Sequence, residues 1–179
     1  MKTLIATALM VAAFAASAHE VDVKEASSLP VYDVTTLYSV VGETRTEFVK
    51  RIAPDFVKYT DETGHEACGV ISVLKNGADG VNPTFSIKMQ TIKAQIACAG
   101  DGVAEGYTSM GTTIHSHPQK RVVRLTAIDM KARGTPAGKL RTETLANCEF
   151  SDQDYQSAGY LITCGKVLYQ TGRGTDKEI

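Results

Sequence analysis

The sequence lacks a marked excess of charge of either sign. Its 179 residues contain 19 Lys and Arg against 20 Asp and Glu, a formal net charge of −1 at pH 7. The basic residues stand in short runs mixed with acidic ones, which is typical of solvated faces rather than of a nucleic-acid stripe. Composition therefore argues against nucleic acid or an anionic membrane surface as the partner.

Long apolar runs are absent after the first residues. The opening stretch MKTLIATALMVAAFAASA has one lysine, is too short to span a bilayer and ends in small residues. This pattern predicts a secretory signal peptide over residues 1–18, cut before His19, and hence a periplasmic or secreted protein. The alternative is a buried N-terminal helix or an anchor that stays uncut. No membrane span is predicted after cleavage, and the remaining chain is long enough for one domain.

Cysteine is scarce, and no two cysteines have C-x-x-C spacing, which weighs against a zinc ribbon. The four are Cys68, Cys98, Cys148 and Cys164. An even number in an exported chain predicts two disulfides, and the sequence leaves their connectivity open. Cys98 and Cys148 flank loops and are the easier pair to join. Cys68 and Cys164 fall on predicted core strands, as buried thiols or as a second bridge.

Helical spacing is clearest between residues 42 and 64, where apolar residues recur every three to four positions. Thr44 or Thr46 is the expected start and Gly64 the expected end, with a kink or restart at Pro54. The residues of the apolar face are Phe48, Ile52, Phe56 and Tyr59.

The rest of the chain reads mainly as strands. The pattern predicts a strand over residues 65–74, and over residues 84–100 a strand or a strand that passes into another element. It predicts a loop over residues 101–111, a strand and its end over residues 112–118, and two short strands around Gly165 over residues 160–174. Residues 119–149 have no clean period and indicate an insertion, and residues 150–159 read as a loop entering a short helix. The prediction is an α/β (α+β) fold, a mixed sheet flanked by helices. Residues 19–43 form an arm or first edge strand, and residues 44–179 a single domain.

Two of only four histidines stand two residues apart in TTIHSHPQ. Alternate residues of a strand point to the same face, so His115 and His117 should converge at the strand end. Such a pair is typical of a metal site if a third ligand comes from elsewhere in the chain.

Other polar residues complete a pattern, Glu66 … His115-x-His117-Pro118 … Ser151-x-x-Asp154. This resembles the JAMM motif of the JAB/MPN metalloprotease family. The resemblance implies that His115, His117 and Asp154 bind Zn²⁺. It also implies that Glu66 activates the attacking water and that Ser151 helps to hold the oxyanion.

Flanking segments are similar to the family as well. A helix precedes Glu66-Ala67-Cys68-Gly69-Val70, and GYLITCG is similar to the closing hairpin of bacterial JAB-like domains. The resemblance covers residues 44–174. Together with the predicted signal peptide, it implies an exported zinc-dependent hydrolase of a peptide or isopeptide bond, acting on a protein or peptide, with cell-wall peptides among the candidates.

The interval between the second histidine and the aspartate is longer here than in the usual motif. Residues 118–153 separate His117 from Asp154, whereas Thr126-x-x-Asp129 offers a second candidate at nearly the usual spacing. We favour Asp154 because a serine stands at the motif position and the GYLITCG hairpin follows directly.

Two alternatives remain at the level of function. One is a JAB/MPN-like module that binds without catalysis, since fold does not establish activity. The other is a secreted effector or toxin that acts on a foreign protein.

Overall fold

The computed structural model describes residues 23–76, 82–119, 122–134, 141–145 and 148–179. The predicted signal peptide lies outside these residues. The α+β class is confirmed: within the described residues, a mixed sheet of seven strands and a two-stranded sheet combine with three α-helices. None of the helices in the described ranges is long and apolar enough to cross a membrane.

The elements follow one another in this order: α1 (Val23–Ser27), β1 (Tyr32–Tyr38), α2 (Arg45–Thr63), β2 (Cys68–Leu74), β3 (Phe85–Thr91), β4 (Tyr107–Ser116), β5 (Val122–Arg124), α3 (Ala127–Ala132), β6 (Thr142–Thr144), a 3₁₀ helix (Asp152–Gln156), β7 (Gly159–Thr163), β8 (Lys166–Gln170) and β9 (Lys177–Glu178).

The main helix, α2, has the ends that the sequence predicts. Thr44 forms a capping box with Glu47, and Gly64 ends the helix in the left-handed conformation with φ +73°. Pro54 lies inside the helix on its exposed side, and the helix neither stops nor restarts there. The helix therefore presents one unbroken apolar face to the sheet.

The seven-stranded sheet has the order β1-β3-β2-β4-β7-β8-β9, which places β4 at its centre. All neighbours are antiparallel except β4 and β7, which run parallel. The apolar face of α2 packs on one side of this sheet. The fully buried side chains of that core are Phe48, Val49, Ile52, Phe56, Ala67, Ile71, Ile87 and Ile114.

Strand β4 is longer than the sequence predicts, because it begins at Tyr107 within the expected loop. Ile71 and Ser72 of β2 are adjacent, yet they pair with Thr112 and Ser109 of β4, so β4 carries extra residues at this point. Gly111 there has φ +68°, as in a β-bulge. The bulge interrupts the alternation of side chains, which is why the pattern hid the first half of the strand.

The predicted insertion contains the small sheet of β5 and β6 and the helix α3. Val123, Leu125 and Met130 form a separate apolar cluster. Ala132 of α3 belongs to another cluster, with Ala26 of α1, Leu29 and Ala94. The described part of the insertion is thus a folded subdomain with its own small core.

The disulfides join Cys68 to Cys98 and Cys148 to Cys164. The predicted preference for Cys98 with Cys148 is therefore wrong. The chain after β3 folds back over the end of that strand, where Cys98 contacts Gln90, the partner of Cys68 across the sheet. Cys164 is exposed in the turn after β7 rather than buried on a core strand. Two disulfides are consistent with an extracellular or periplasmic protein.

Peptide mapping without reduction should recover Cys68 linked to Cys98 and Cys148 linked to Cys164, because both pairs have Cα–Cα distances of 5.5–5.9 Å. Mass spectrometry of the same digest after reduction gives the control. Recovery of Cys98 linked to Cys148 would contradict this arrangement of the two loops.

Candidate metal centre

The two histidines sit at the carboxyl end of the central strand β4. His115 lies between Cys68 of β2 and Leu161 of β7. The backbone N–H of His117 donates to the carbonyl of Ile162 at 3.1 Å, which extends the pairing past the end of β4. Both side chains therefore point to the same side of the sheet, with their backbones fixed by neighbouring strands.

Three potential ligand atoms converge at this point. His115 Nε2 lies 3.2 Å from His117 Nε2 and 3.4 Å from Asp154 Oδ1. Ligand atoms of these three residues all lie within 4.8 Å of one another. Two ligands bound about 2.0–2.1 Å from a tetrahedral zinc lie about 3.3–3.4 Å apart. The donor types and their spacing thus fit a first-row metal such as zinc.

Asp154 is presented by the 3₁₀ helix, and Ser151 orients its carboxylate. The backbone N–H and the hydroxyl of Ser151 donate to Asp154 Oδ2 at 2.6 and 2.9 Å. This leaves Oδ1 directed at His115. Burial by itself raises the pKa of Asp154. The electrostatic interaction and the hydrogen bond with His115, with help from His117, outweigh burial and hold that pKa well below its usual range.

Glu66 lies beside His117, just before β2. Its backbone is fixed by an N–H donated to Ala94 and by the hydroxyl of Thr91, which donates to the Glu66 carbonyl. The carboxylate is buried, with Oε1 4.0 Å from His117 Nε2. Burial, and secondarily the negative charges of Asp154 and Asp129, raise the pKa of Glu66 well above its ordinary value. Such a carboxyl is suited to taking up and returning a proton.

Asp129, the second candidate ligand, is not part of the group that His115, His117 and Asp154 form. It is fully buried at the start of α3, where Oδ2 accepts from the N–H and hydroxyl of Thr126. The backbone N–H of Gln95 donates to Oδ1 at 2.6 Å, and its side-chain amide donates to Oδ2. Asp129 joins the insertion to the loop after β3, and Asp154 is the aspartate that accompanies His115 and His117.

Two contributors to the site carried no signal in the sequence. The ring of Phe150 meets that of His115 edge-on at 6.4 Å and is itself buried. The amide of Gln170 donates to the backbone carbonyl of Asp154 at 2.6 Å. Both are single residues outside any spaced motif, and only the tertiary structure brings them to the candidate ligands.

The chain has no significant match among protein-family models, curated proteins or solved structures. The likeness to the JAB/MPN family therefore depends on the motif residues themselves. What the geometry adds is their arrangement: two histidines and a carboxylate at metal-binding distances, beside a second, buried carboxyl with a raised pKa.

Proposed function

We propose that this protein is an exported zinc-dependent hydrolase that cleaves an amide bond in a protein or peptide. The observation that carries the proposal is the convergence of His115, His117 and Asp154, with the buried Glu66 beside His117. Three protein ligands leave a fourth position open, which is typical of catalytic rather than structural zinc.

Zinc held by these three residues would supply a Lewis acid and a water of lowered pKa. Glu66 would accept the proton from the attacking water, since its raised pKa suits a group that must also release the proton. The same carboxyl then delivers that proton to the leaving amine. The hydrogen bonds from Ser151 hold Asp154 Oδ2, so Ser151 orients a ligand in addition to any contact with the substrate oxygen.

The class of substrate follows from the compartment. The predicted signal peptide and the two disulfides support action outside the cytoplasm. Peptide, isopeptide and cell-wall cross-link amides are all available there. The folded insertion of α3, β5 and β6 lies between the second histidine and the aspartate in sequence, and we infer that it borders the substrate groove.

Metal analysis of purified protein should give one zinc per chain for the wild type and none for His117→Ala or Asp154→Ala, because each removes one of three ligands. Asp129→Ala should keep the metal. It should nonetheless lower the free energy of unfolding by about 1–3 kcal/mol, because it leaves buried donors without their acceptor. Metal content and denaturant unfolding are measured on the same samples.

Absence of bound metal in the wild type would contradict the proposed function. Loss of metal from Asp129→Ala, with retention in Asp154→Ala, would instead assign the third ligand to the insertion.

Glu66→Gln should retain zinc and lower hydrolysis about 10²- to 10⁴-fold, the range expected when a general acid–base is removed. Turnover is followed with a pool of quenched fluorescent peptides and with cell-wall peptide fragments. Glu62→Gln makes the same chemical change at an exposed site on α2 and serves as the matched control.

Full activity of Glu66→Gln would show that another group transfers the proton. A wild type that holds zinc but cleaves neither set of amides would favour the binding module.

A further inference from the structure

The 3₁₀ helix that carries Asp154 has little packing of its own to hold it. None of its five residues is fully buried. The hydrogen bonds from Ser151 to the Asp154 carboxylate are local, so they move with the helix and do not set its distance from β4. Something outside this segment must fix where the carboxylate lies relative to His115.

Surface contacts of the helix contribute little to that placement. Arg173 forms an ion pair with Asp152 at 2.9 Å, but both side chains are about two-thirds exposed. The hydroxyl of Tyr155 donates to Asp176 in another exposed contact. Exposed pairs of this kind are typically worth less than about 1 kcal/mol. The Cys148–Cys164 disulfide holds the chain before Ser151 and leaves the segment after it to be held by other contacts.

Gln170, the last residue of β8, makes a buried hydrogen-bonded connection to this segment, in addition to the ring contacts of Phe150 with His115 and Tyr155. It is fully buried, and its Nε2 donates to the carbonyls of Asp154 at 2.6 Å and Ser157 at 2.7 Å. Its Oε1 accepts the backbone N–H of Gly172 at 2.7 Å. Both amide hydrogens are thus used on the segment that bears the metal ligand. A buried amide with all these partners has one favourable orientation.

The paired strands of the sheet connect Gln170 to the histidines. Gln170 pairs with Gly159 of β7, and β7 pairs in parallel with β4, where Leu161 lies beside His115. A Cβ on Gly159 would lie 2.7 Å from the Thr113 hydroxyl and 3.4 Å from Gln170 Nε2, so the glycine leaves room for the amide. An unbroken series of hydrogen-bonded strands therefore connects His115 to the backbone of Asp154 through one side chain.

We propose that Gln170 is a positioning residue for the metal centre: its amide holds the backbone of Asp154 so that the carboxylate reaches the metal held by His115 and His117. This inference rests on the proposed metal site. It does not depend on the hydrolytic step, because ligand placement affects metal affinity whether or not the protein turns over a substrate.

The test compares Gln170→Met with Gln90→Met. Gln90 is also buried in the sheet, and its amide bonds Asp33 and the N–H of Gly102, neither of which belongs to the metal-bearing segment. Methionine is similar in length to glutamine and cannot make the hydrogen bonds of the amide. With a chelator present to remove metal, both variants should unfold at a lower temperature than the wild type.

Only Gln170→Met should weaken Zn²⁺ binding, by about 10- to 100-fold, the usual effect of removing an outer-shell partner. Competition with a chromophoric chelator gives the affinity. The visible spectrum of the Co²⁺-substituted protein should change in Gln170→Met and remain as in the wild type in Gln90→Met. Gln170→Asn, which keeps a shorter amide, should lie between wild type and Gln170→Met, and it provides the test if Gln170→Met does not fold.

The outcomes separate the two ideas. If Gln170→Met and Gln170→Asn bind Zn²⁺ as tightly as the wild type, the metal site stands and the role of Gln170 is overturned. Equal weakening in Gln90→Met would also overturn it, since the effect would then follow general stability. A wild type that binds neither Zn²⁺ nor Co²⁺ would remove the metal centre, and the role of Gln170 with it.

Discussion

The parallel pairing of β4 with β7 is the constraint on which the site depends. Parallel neighbours require a long crossover connection, and here residues 117–158 form that connection. The histidines end β4, and the 3₁₀ helix with Asp154 directly precedes β7. The strand pairing fixes both ends of this connection, so its length can vary widely. The entropic cost of closing a loop rises only slowly with the number of residues in it. A folded insertion therefore separates His117 from Asp154 in sequence without separating them in space.

The same arrangement places two carboxylates in opposite electrostatic surroundings. Asp154 is partly buried, but it contacts His115 and accepts two hydrogen bonds from Ser151, so its pKa is lowered. Glu66 is buried with no comparable compensation and lies within the field of Asp154, so its pKa is raised. Two acids whose pKa values are driven apart in this way are suited to a division of roles, one as an ionised ligand and the other as a proton carrier. That division is what supports the hydrolytic assignment of the site.

Strong local signals predicted the elements that they encode. The apolar spacing and capping residues of α2 predicted its end at Gly64 and its start at Thr44 or Thr46, of which Thr44 is the cap, and the turn at Gly165 identified the β7–β8 hairpin. The first half of β4 was missed because a bulge near Gly111 breaks the alternation. Disulfide partners were missed because Cys98 reaches Cys68 only when the chain after β3 folds back.

The two S/T-x-x-D segments show what the sequence by itself determined. In both, the hydroxyl and N–H of the first residue donate to the aspartate Oδ2, and the local geometry at Thr126–Asp129 matches that at Ser151–Asp154. Four residues suffice to form this motif, so the sequence specifies it directly. The same holds for the shared face of His115 and His117, which strand periodicity alone dictates. Which aspartate accompanies the histidines was decided only by the tertiary structure. The hydrogen-bonded order β4-β7-β8 brings Asp154 to them, whereas the contacts with Gln95 hold Asp129 in the insertion, and both are interactions between residues far apart in the chain.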